Sequence, residues 1–446
     1  MGHVEPTAAT GPAATPEASR AGGGASAGRR ARRIVHLIHN FPPEFRGGTE
    51  SYLSRLIPLQ RALGLDVAVV TGSETRAVGD ARREELGGAP VFRVFRRPDE
   101  PFAVDFRPAQ PREVVTRLVR SLAPDVLHLH HWFNLGDDLL AQLAPIPAVA
   151  TFHDSYAGCV RFFFLRPDGF FCGSDLPVPL ERCVECVRPE DGDAGLPERL
   201  AARRARFAVE VARLRFAFAP SAAHAETIVR AGIVPRSLMH ALPIGLPPDE
   251  LERRAHAPPH QPAPGRLRLL CFGNLNRLKG LDLIFEAMRP LVGRGVELHL
   301  YGVPLAAEAA ELERLAAGLP VTWHGRFELD DLAADAVALD LALFPSRAHE
   351  TYSMVLEEAI SMRMPVVVSD RGAPPRRVAG FGRVVPVEDA RALHATLVEL
   401  LDHPERLAAM RAALPPPLRL DDHARALRGF YDAALAPADP TATVAT

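Results

Sequence analysis

From Ile34 onward the chain alternates short, continuous apolar runs with longer stretches of helical periodicity, in two separate series. Ile34–Ile38, Val67–Val70, Val126–Leu129 and Ala148–Phe152 read as strands, with helices at Ser51–Leu63 and Arg112–Leu122 between them. The second series reads as strands at Leu267–Phe272, Val296–Tyr301, Leu341–Phe344, Val366–Ser369 and Val384–Pro386. Its helices fall at Leu281–Leu291, Ala306–Ala317 and Met354–Met362. A strand that is apolar on both faces must be covered on both faces. The alternation therefore predicts α/β units with parallel sheets. Pro247–Gly265 separates the series, is dense in proline and charge, and reads as a linker. Two such domains leave a cleft between them, and open α/β sheets bind ligands at the carboxyl ends of their strands.

The remaining boundaries follow from composition. Residues 1–33 are rich in Ala, Gly, Pro and Ser and cannot bury enough surface to offset ordering, so a disordered tail is expected. Residues 34–246 form the first domain, 266–414 the second, and 415–446 a terminal helix, starting at Asp421 or Asp422 as cap, plus a tail. Basic residues number 52 against 54 acidic, without the excess a nucleic-acid binder carries. No apolar run approaches the length of a membrane span, and the first residues lack the apolar core of a signal peptide. A cytoplasmic protein is expected. Of the 52 basic residues only one is a lysine, Lys279.

Three segments carry chemistry. Gly47-Gly48 follows the first strand and opens a helix, where backbone amides can approach an anion; a tight strand–helix turn is the plain alternative. The second domain opens on a strand, a turn at Gly273, and then Lys279 at the head of a helix, where an ammonium can neutralise phosphate. In PSRAHETYSMVLEEA, Glu350 lies in a loop and Glu358 eight residues on, inside the following helix. The amides of Tyr352, Ser353, Met354 and Val355 can hold phosphate, Glu358 a diol, and Glu350 sugar hydroxyls. By charge pattern alone the two glutamates could equally be dipole complements.

The order of these pieces, with the His153-Asp154 pair after a middle strand and Pro-Val-Val after the second glutamate, resembles the retaining GT-B glycosyltransferases of glycosyltransferase family 4. The likeness spans roughly residues 34–414 as the alternation delimits them. It implies two Rossmann-like parallel-sheet domains facing a cleft, an N-terminal acceptor side and a C-terminal nucleotide-sugar side. Lys279 would meet the diphosphate, Glu350 the hexose and Glu358 the ribose. Gly47 and Gly48 would pack against phosphate or sugar, and His153 would reach the sugar across the cleft. Gly325 and Arg326 match the segment that cradles the base. Transfer in such enzymes needs no divalent metal. The implied partners are a nucleotide-diphosphate sugar and a glycan or lipid-linked acceptor, in cell-surface polysaccharide or glycolipid synthesis. A nucleotide-sugar epimerase of the same fold and a non-catalytic nucleotide-sugar- or glycan-binding protein are the competing readings.

Some positions depart from the family pattern. Asn274 stands where an arginine is common, with Arg277 its nearest replacement in sequence. Thr351, Ser353 and Arg363 stand where glycines are common.

Cys159, Cys172, Cys183 and Cys186 fall in an aromatic insertion, at about 155–190. A Cys-x2-Cys knuckle with two upstream thiols suits structural zinc; two disulfides or four reduced thiols are the alternatives. Cys271, inside a strand, reads as buried and inert. Leu196–Phe216 reads as an amphipathic helix, with Leu196, Leu200, Phe207, Val211 and Leu214 on one stripe. Arg203, Arg204, Arg206, Arg213 and Arg215 surround that stripe. Such a helix can rest on anionic lipid at the inner face of the membrane, or be a solvated face on a core helix. His130 and His131, at a strand end, suit packing more than cleft chemistry.

Overall fold

The computed structural model describes residues 30–75, 81–95, 109–191, 195–254 and 263–436. Most of the tail read as disordered, residues 255–262 of the linker, and 437–446 lie outside them.

The first domain holds strands β1 (Arg33–Ile38), β2 (Asp66–Ser73), β3 (Ala81–Leu86), β4 (Ala89–Phe95), β5 (Val126–Leu129), β6 (Ala148–Thr151), β7 (Leu214–Ala219) and β8 (Met239–Ala241). They form one sheet in the order β3-β4-β2-β1-β5-β6-β7-β8, parallel except for the β3–β4 pair. The second domain holds β9 (Leu267–Phe272), β10 (Val296–Tyr301), β11 (Val321–Gly325), β12 (Leu341–Phe344), β13 (Val366–Ser369) and β14 (Arg383–Val385). Their order is β11-β10-β9-β12-β13-β14, parallel throughout. In each sheet the order reverses beside the domain's first strand, at β1/β5 and at β9/β12. The loops leaving β1 and β9 therefore open at the two crevices that face the cleft. The strands are apolar because both faces are covered: β5, β6, β12 and β13 are buried at every position.

Several expectations are corrected. The order of the chain begins before Ile34: Ala31 is fully buried, and its N–H donates to Asp432 at 2.8 Å. Within the expected linker, Pro248–Arg254 is a helix. The basic helix ends at Val211, and Leu214 begins β7, so the apolar spacing that continued the stripe crosses a helix–strand junction. Nor is that helix ringed by free arginines. Arg203 is buried, with its guanidinium over the rings of Tyr156 (4.7 Å) and Phe207 (4.5 Å). Arg204 donates to the carbonyl of Val178 and to Cys183 Sγ, and Arg206 to Asp137. The outward face carries Ala201, Ala202, Ala205, Ala208 and Val209, so the basic face expected for lipid is absent along this stretch.

The terminal helix Leu420–Ala434 leaves the second domain and packs on the first. Leu420, Ala424, Leu427 and Tyr431 share one core with Tyr52, Leu53, Leu56 and Ile57. Neither Asp421 nor Asp422 caps it; both lie in its first turn, and Arg419 holds the cap position without a side-chain bond. Among the described residues no helix is long and apolar enough to cross a membrane.

Candidate functional site: an interdomain cleft

A cleft of about 300 Å³ lies between the domains, at the carboxyl ends of both sheets. Gly48, Thr49, His153 and Asp154 line it from the first domain. Asn274, Lys279, Ser346, Glu350 and residues 351–355 line it from the second. Cys271, read as inert, is buried in β9 and also lines it.

The centre of the second domain's wall is an ion pair. Lys279 Nζ stands 2.5 Å from Glu350 Oε1, and the Ser346 hydroxyl donates to the same oxygen at 2.7 Å. Burial would raise the Glu350 carboxyl, but the Lys279 ammonium and Ser346 hydroxyl overcome it and hold the group below its ordinary range. Asn276 fixes the backbone of Lys279, accepting its N–H on Oδ1 at 2.8 Å. Glu350 is held by an isolated parallel bridge to Gly372, and its carbonyl accepts the N–H of Ala373 at 2.8 Å. Gly372 has φ +84°, and a Cβ there would stand 2.3 Å from the Glu350 carbonyl oxygen. No larger residue fits without moving the Glu350 loop.

The helix Met354–Ser361 begins at Ser353, which has φ +74°. Arg363, past the end of the same helix, has φ +58°. Both departures from glycine therefore occupy the left-handed region glycine favours, at a cost of roughly 1–2 kcal/mol each. Arg363 recovers contacts for this: its guanidinium donates to the carbonyls of Leu414 and Arg411. Ser353 makes no side-chain cap. Ser353→Gly is expected to stabilise the fold by about 1 kcal/mol, seen as a higher denaturation midpoint. A midpoint that falls would show that the serine hydroxyl matters.

On the facing wall, Gly47 caps the helix Gly48–Ala62, and its N–H donates to Glu50 Oε2 at 3.0 Å. A Cβ at Gly47 would stand 2.6 Å from that oxygen, so the glycine makes room for the carboxylate. Gly48 lies against Met354 of the other domain. His153 is held down to about 3, chiefly by burial, against the pull of Asp154, so its ring is neutral. Asp154 accepts from His131 Nε2 at 3.0 Å and from the N–H of Tyr156 at 2.8 Å. The domains are clasped across the cleft by Thr351. Its hydroxyl donates to the His153 carbonyl at 2.7 Å, and its carbonyl accepts from Ser221 at 2.6 Å. Thr351 was legible only as a departure from glycine; the hydroxyl is what makes this contact.

Residues 46–250 match the family model described as Glycosyltransferase Family 4, and residues 266–403 the model described as Glycosyl transferases group 1. The fold is similar to that of sucrose-phosphate synthase from Thermosynechococcus elongatus, with a TM-score of 0.65 at 17% identity over 90% of this chain and 98% of that one. The chain belongs to the GT-B glycosyltransferases of family 4 type. It is also similar to a GDP-mannose-dependent alpha-mannosyltransferase of Mycolicibacterium smegmatis, 26% identical over 90% of this chain and 98% of that protein. A 154-residue stretch is 31% identical to a GDP-mannose-dependent monoacylated alpha-(1-6)-phosphatidylinositol monomannoside mannosyltransferase of Corynebacterium glutamicum. That match covers 32% of this chain and 40% of that protein.

Not every residue expected in the glycosyltransferase site lines the cleft. Gly48, His153, Asn274, Lys279, Glu350, Tyr352, Ser353, Met354 and Val355 do. Gly47 and Gly273 do not line it, although a Cβ at Gly273 would meet Val355, which does, at 3.1 Å. Arg277 turns away to Asp282 (3.2 Å) and does not replace the arginine missing at Asn274. Arg326 is exposed and outside the cavity. Glu358 is buried but already paired: Arg55 Nη1, from the first domain, stands 3.1 Å from its Oε1. The Tyr352 hydroxyl is buried without a hydrogen-bond partner, in the electrostatic reach of Glu357 and Arg377, an arrangement that costs free energy.

The four cysteines of the insertion are free thiols lining one cavity, apart from the cleft. The insertion reaches the second domain through Phe171, stacked on His349 (4.9 Å between ring centres, 11° between planes) with Arg371 over its ring. His349 adjoins Glu350, so this aromatic contact steadies the Glu350 loop from the other domain. Sequence reasoning gave no signal for it.

Proposed function

We propose that the chain is a retaining, metal-independent hexosyltransferase that moves a hexose from a nucleotide-diphosphate sugar to a glycan or lipid-linked acceptor. The observation that carries the reading is the Lys279–Glu350 pair beside the Ser353–Val355 helix start, facing His153 across one cleft. Lys279 and the amides of Met354 and Val355 would neutralise the diphosphate as the bond from C1 to phosphate oxygen breaks. The acceptor oxygen would bond to C1 on the same face, its proton passing to the departing phosphate oxygen. Glu350 would receive hexose hydroxyls, His153 would meet the sugar, and Glu358 would reach the ribose once released from Arg55. Gly47, Gly48, Gly273 and Asn274 would shape the walls, and Arg277 and Arg326 would act only after turning toward the donor. Peripheral contact with the inner membrane face would then come through a lipid-linked acceptor.

The relatives named for GDP-mannose make it the first donor to test, beside UDP-, ADP- and dTDP-sugars. Acceptor-dependent release of nucleoside diphosphate, unchanged by EDTA, with product of the donor's anomeric configuration, is the expected result. Sugar converted without acceptor would turn the reading to an epimerase. Saturable binding without release would turn it to a binding protein.

We also propose that Cys159, Cys172, Cys183 and Cys186 are the ligand set of a structural zinc. Cys183 and Cys186 lie on one face of a helical turn, and all four border the same cavity. Among the described residues, the group of ligand atoms gathered within 4.8 Å is His36, His128 and His130, so the sulfurs stand apart and an ion would draw them in. One zinc per chain, lost in Cys183→Ser/Cys186→Ser, is expected by metal analysis. Five titratable thiols and no zinc would refute it.

A further inference from the structure

Beneath His153 runs a continuous chain of buried hydrogen bonds that the transfer chemistry above does not use. His153 Nε2 meets His130 Nδ1 at 3.1 Å, and His130 Nε2 meets His36 Nδ1 at 2.9 Å. His36 Nε2 meets Gln60 Oε1 at 2.8 Å, and Gln60 Nε2 donates to the Tyr431 hydroxyl at 2.9 Å. Tyr431 in turn meets His128 Nδ1 at 2.6 Å, and His128 Nε2 meets the Thr151 hydroxyl at 2.8 Å. The three core histidines cluster like metal ligands. All six of their ring nitrogens already have partners, which leaves no lone pair for an ion.

Each link fixes the next. The carbonyl of Gln60 can only accept, so His36 carries its proton on Nε2 and offers a bare Nδ1. His130 must then donate from Nε2 and accept on Nδ1, and His153 must donate from Nε2. At the other end the Gln60 amide donates to Tyr431, whose own proton goes to His128. His128 then donates to Thr151. Turning the one amide over would reverse every bond and move the His153 proton to Nδ1. Burial holds His36 down to about 4, and His128 and His130 well below the ordinary range, so all of them stay neutral and can keep one tautomer.

We propose that Gln60, anchored by Tyr431 of the terminal helix, is a positioning residue. Through His36 and His130 it sets which nitrogen of His153 faces the cleft bare. The proposal rests on His153 meeting the sugar, and assigns it a neutral ring with Nδ1 as the acceptor. It also gives the returning C-terminal helix a role in the site of the opposite domain.

The test is nitrogen NMR of the full chain labelled with 15N-histidine at pH 7, His153 assigned by its loss in His153→Ala, together with donor kinetics. In the natural chain His153 should be the Nε2–H tautomer. Gln60→Leu should mix or switch that tautomer and lower kcat tenfold or more at unchanged donor KM. Gln60→Glu, whose carboxylate still accepts from His36, should keep both. Tyr431→Phe, which frees the amide to turn, should populate both tautomers and serves if Gln60→Leu does not fold. An Nδ1–H tautomer in the natural chain, or an unchanged tautomer and kcat in folded Gln60→Leu, overturns the proposal. If His153→Ala transfers at the natural rate, the reading of His153 fails while the tautomer result still decides the relay.

Discussion

Replacing Lys279 with alanine is expected to lower turnover by about 10²- to 10³-fold, the loss typical of removing one preorganised charge from a developing anion. Two effects add. The cleft loses the ammonium at its centre, and neither Asn274 nor the outward-turned Arg277 supplies another. Glu350 meanwhile loses the partner 2.5 Å away that offsets its burial. Its carboxyl then takes up a proton at higher pH, and a protonated Glu350 accepts hexose hydroxyls less well. Lys279→Arg keeps the charge, but the Ser346 hydroxyl already shares Oε1 of Glu350, and a planar fork fits that corner poorly. Its turnover is expected to fall between the other two. Nucleoside diphosphate release at saturating donor, with circular dichroism to confirm folding, measures both. Undiminished turnover in Lys279→Ala would remove the lysine from the site and reduce its isolation in an arginine-rich chain to composition.

The central strands were legible because a buried parallel strand is predominantly apolar on both faces; β5, β9, β10, β12 and β13 coincide with the apolar-rich runs. The hairpin of β3 and β4 was not, since its outer strand ARREEL is a charged edge. Nor was β7, because Phe207, Val211 and Leu214 keep helical spacing across the junction that separates two elements. In the site, local residues could be read and long-range partners could not. Lys279 and Glu350 stand in recognisable loops, whereas Arg55 meets Glu358 across 303 positions of chain. The histidine relay did leave a trace. His128 interrupts the apolar strand β5, with His130 two residues on, just past its end, and His36 interrupts the apolar strand β1. A polar group in a fully buried strand must find a partner, and asking where it finds one would have pointed beneath the cleft.

Arg55→Ala is expected to cost about 3 kcal/mol, the lower range for stranding one member of a buried ion pair. Arg55 bridges Glu250 (2.9 and 3.2 Å) and Glu358 (3.1 Å), so it ties the two domains behind the cleft. Without it Glu250 keeps Arg254 at 2.8 Å, but Glu358, with 12% of its side chain exposed, loses the cation facing it. Thermal denaturation should fall by roughly 5–10 °C. The pH dependence has a definite sign. Burial already raises the Glu358 carboxyl, Arg55 opposes that, and removing Arg55 raises it further. An acid whose folded-state pKa exceeds its unfolded value holds a proton longer in the native state, so its penalty is absent at low pH and grows as pH rises. The variant should therefore lose most stability at neutral and alkaline pH and recover on acidification below the raised pKa. Arg55→Ala/Glu358→Gln, which removes the stranded charge, should regain much of the loss at pH 8. Donor affinity separates the two roles open to Glu358. If it serves the ribose, freeing it from Arg55 should tighten donor binding at pH 8 even as the fold weakens. An unchanged dissociation constant would make Glu358 an interdomain strut and leave ribose recognition to other groups.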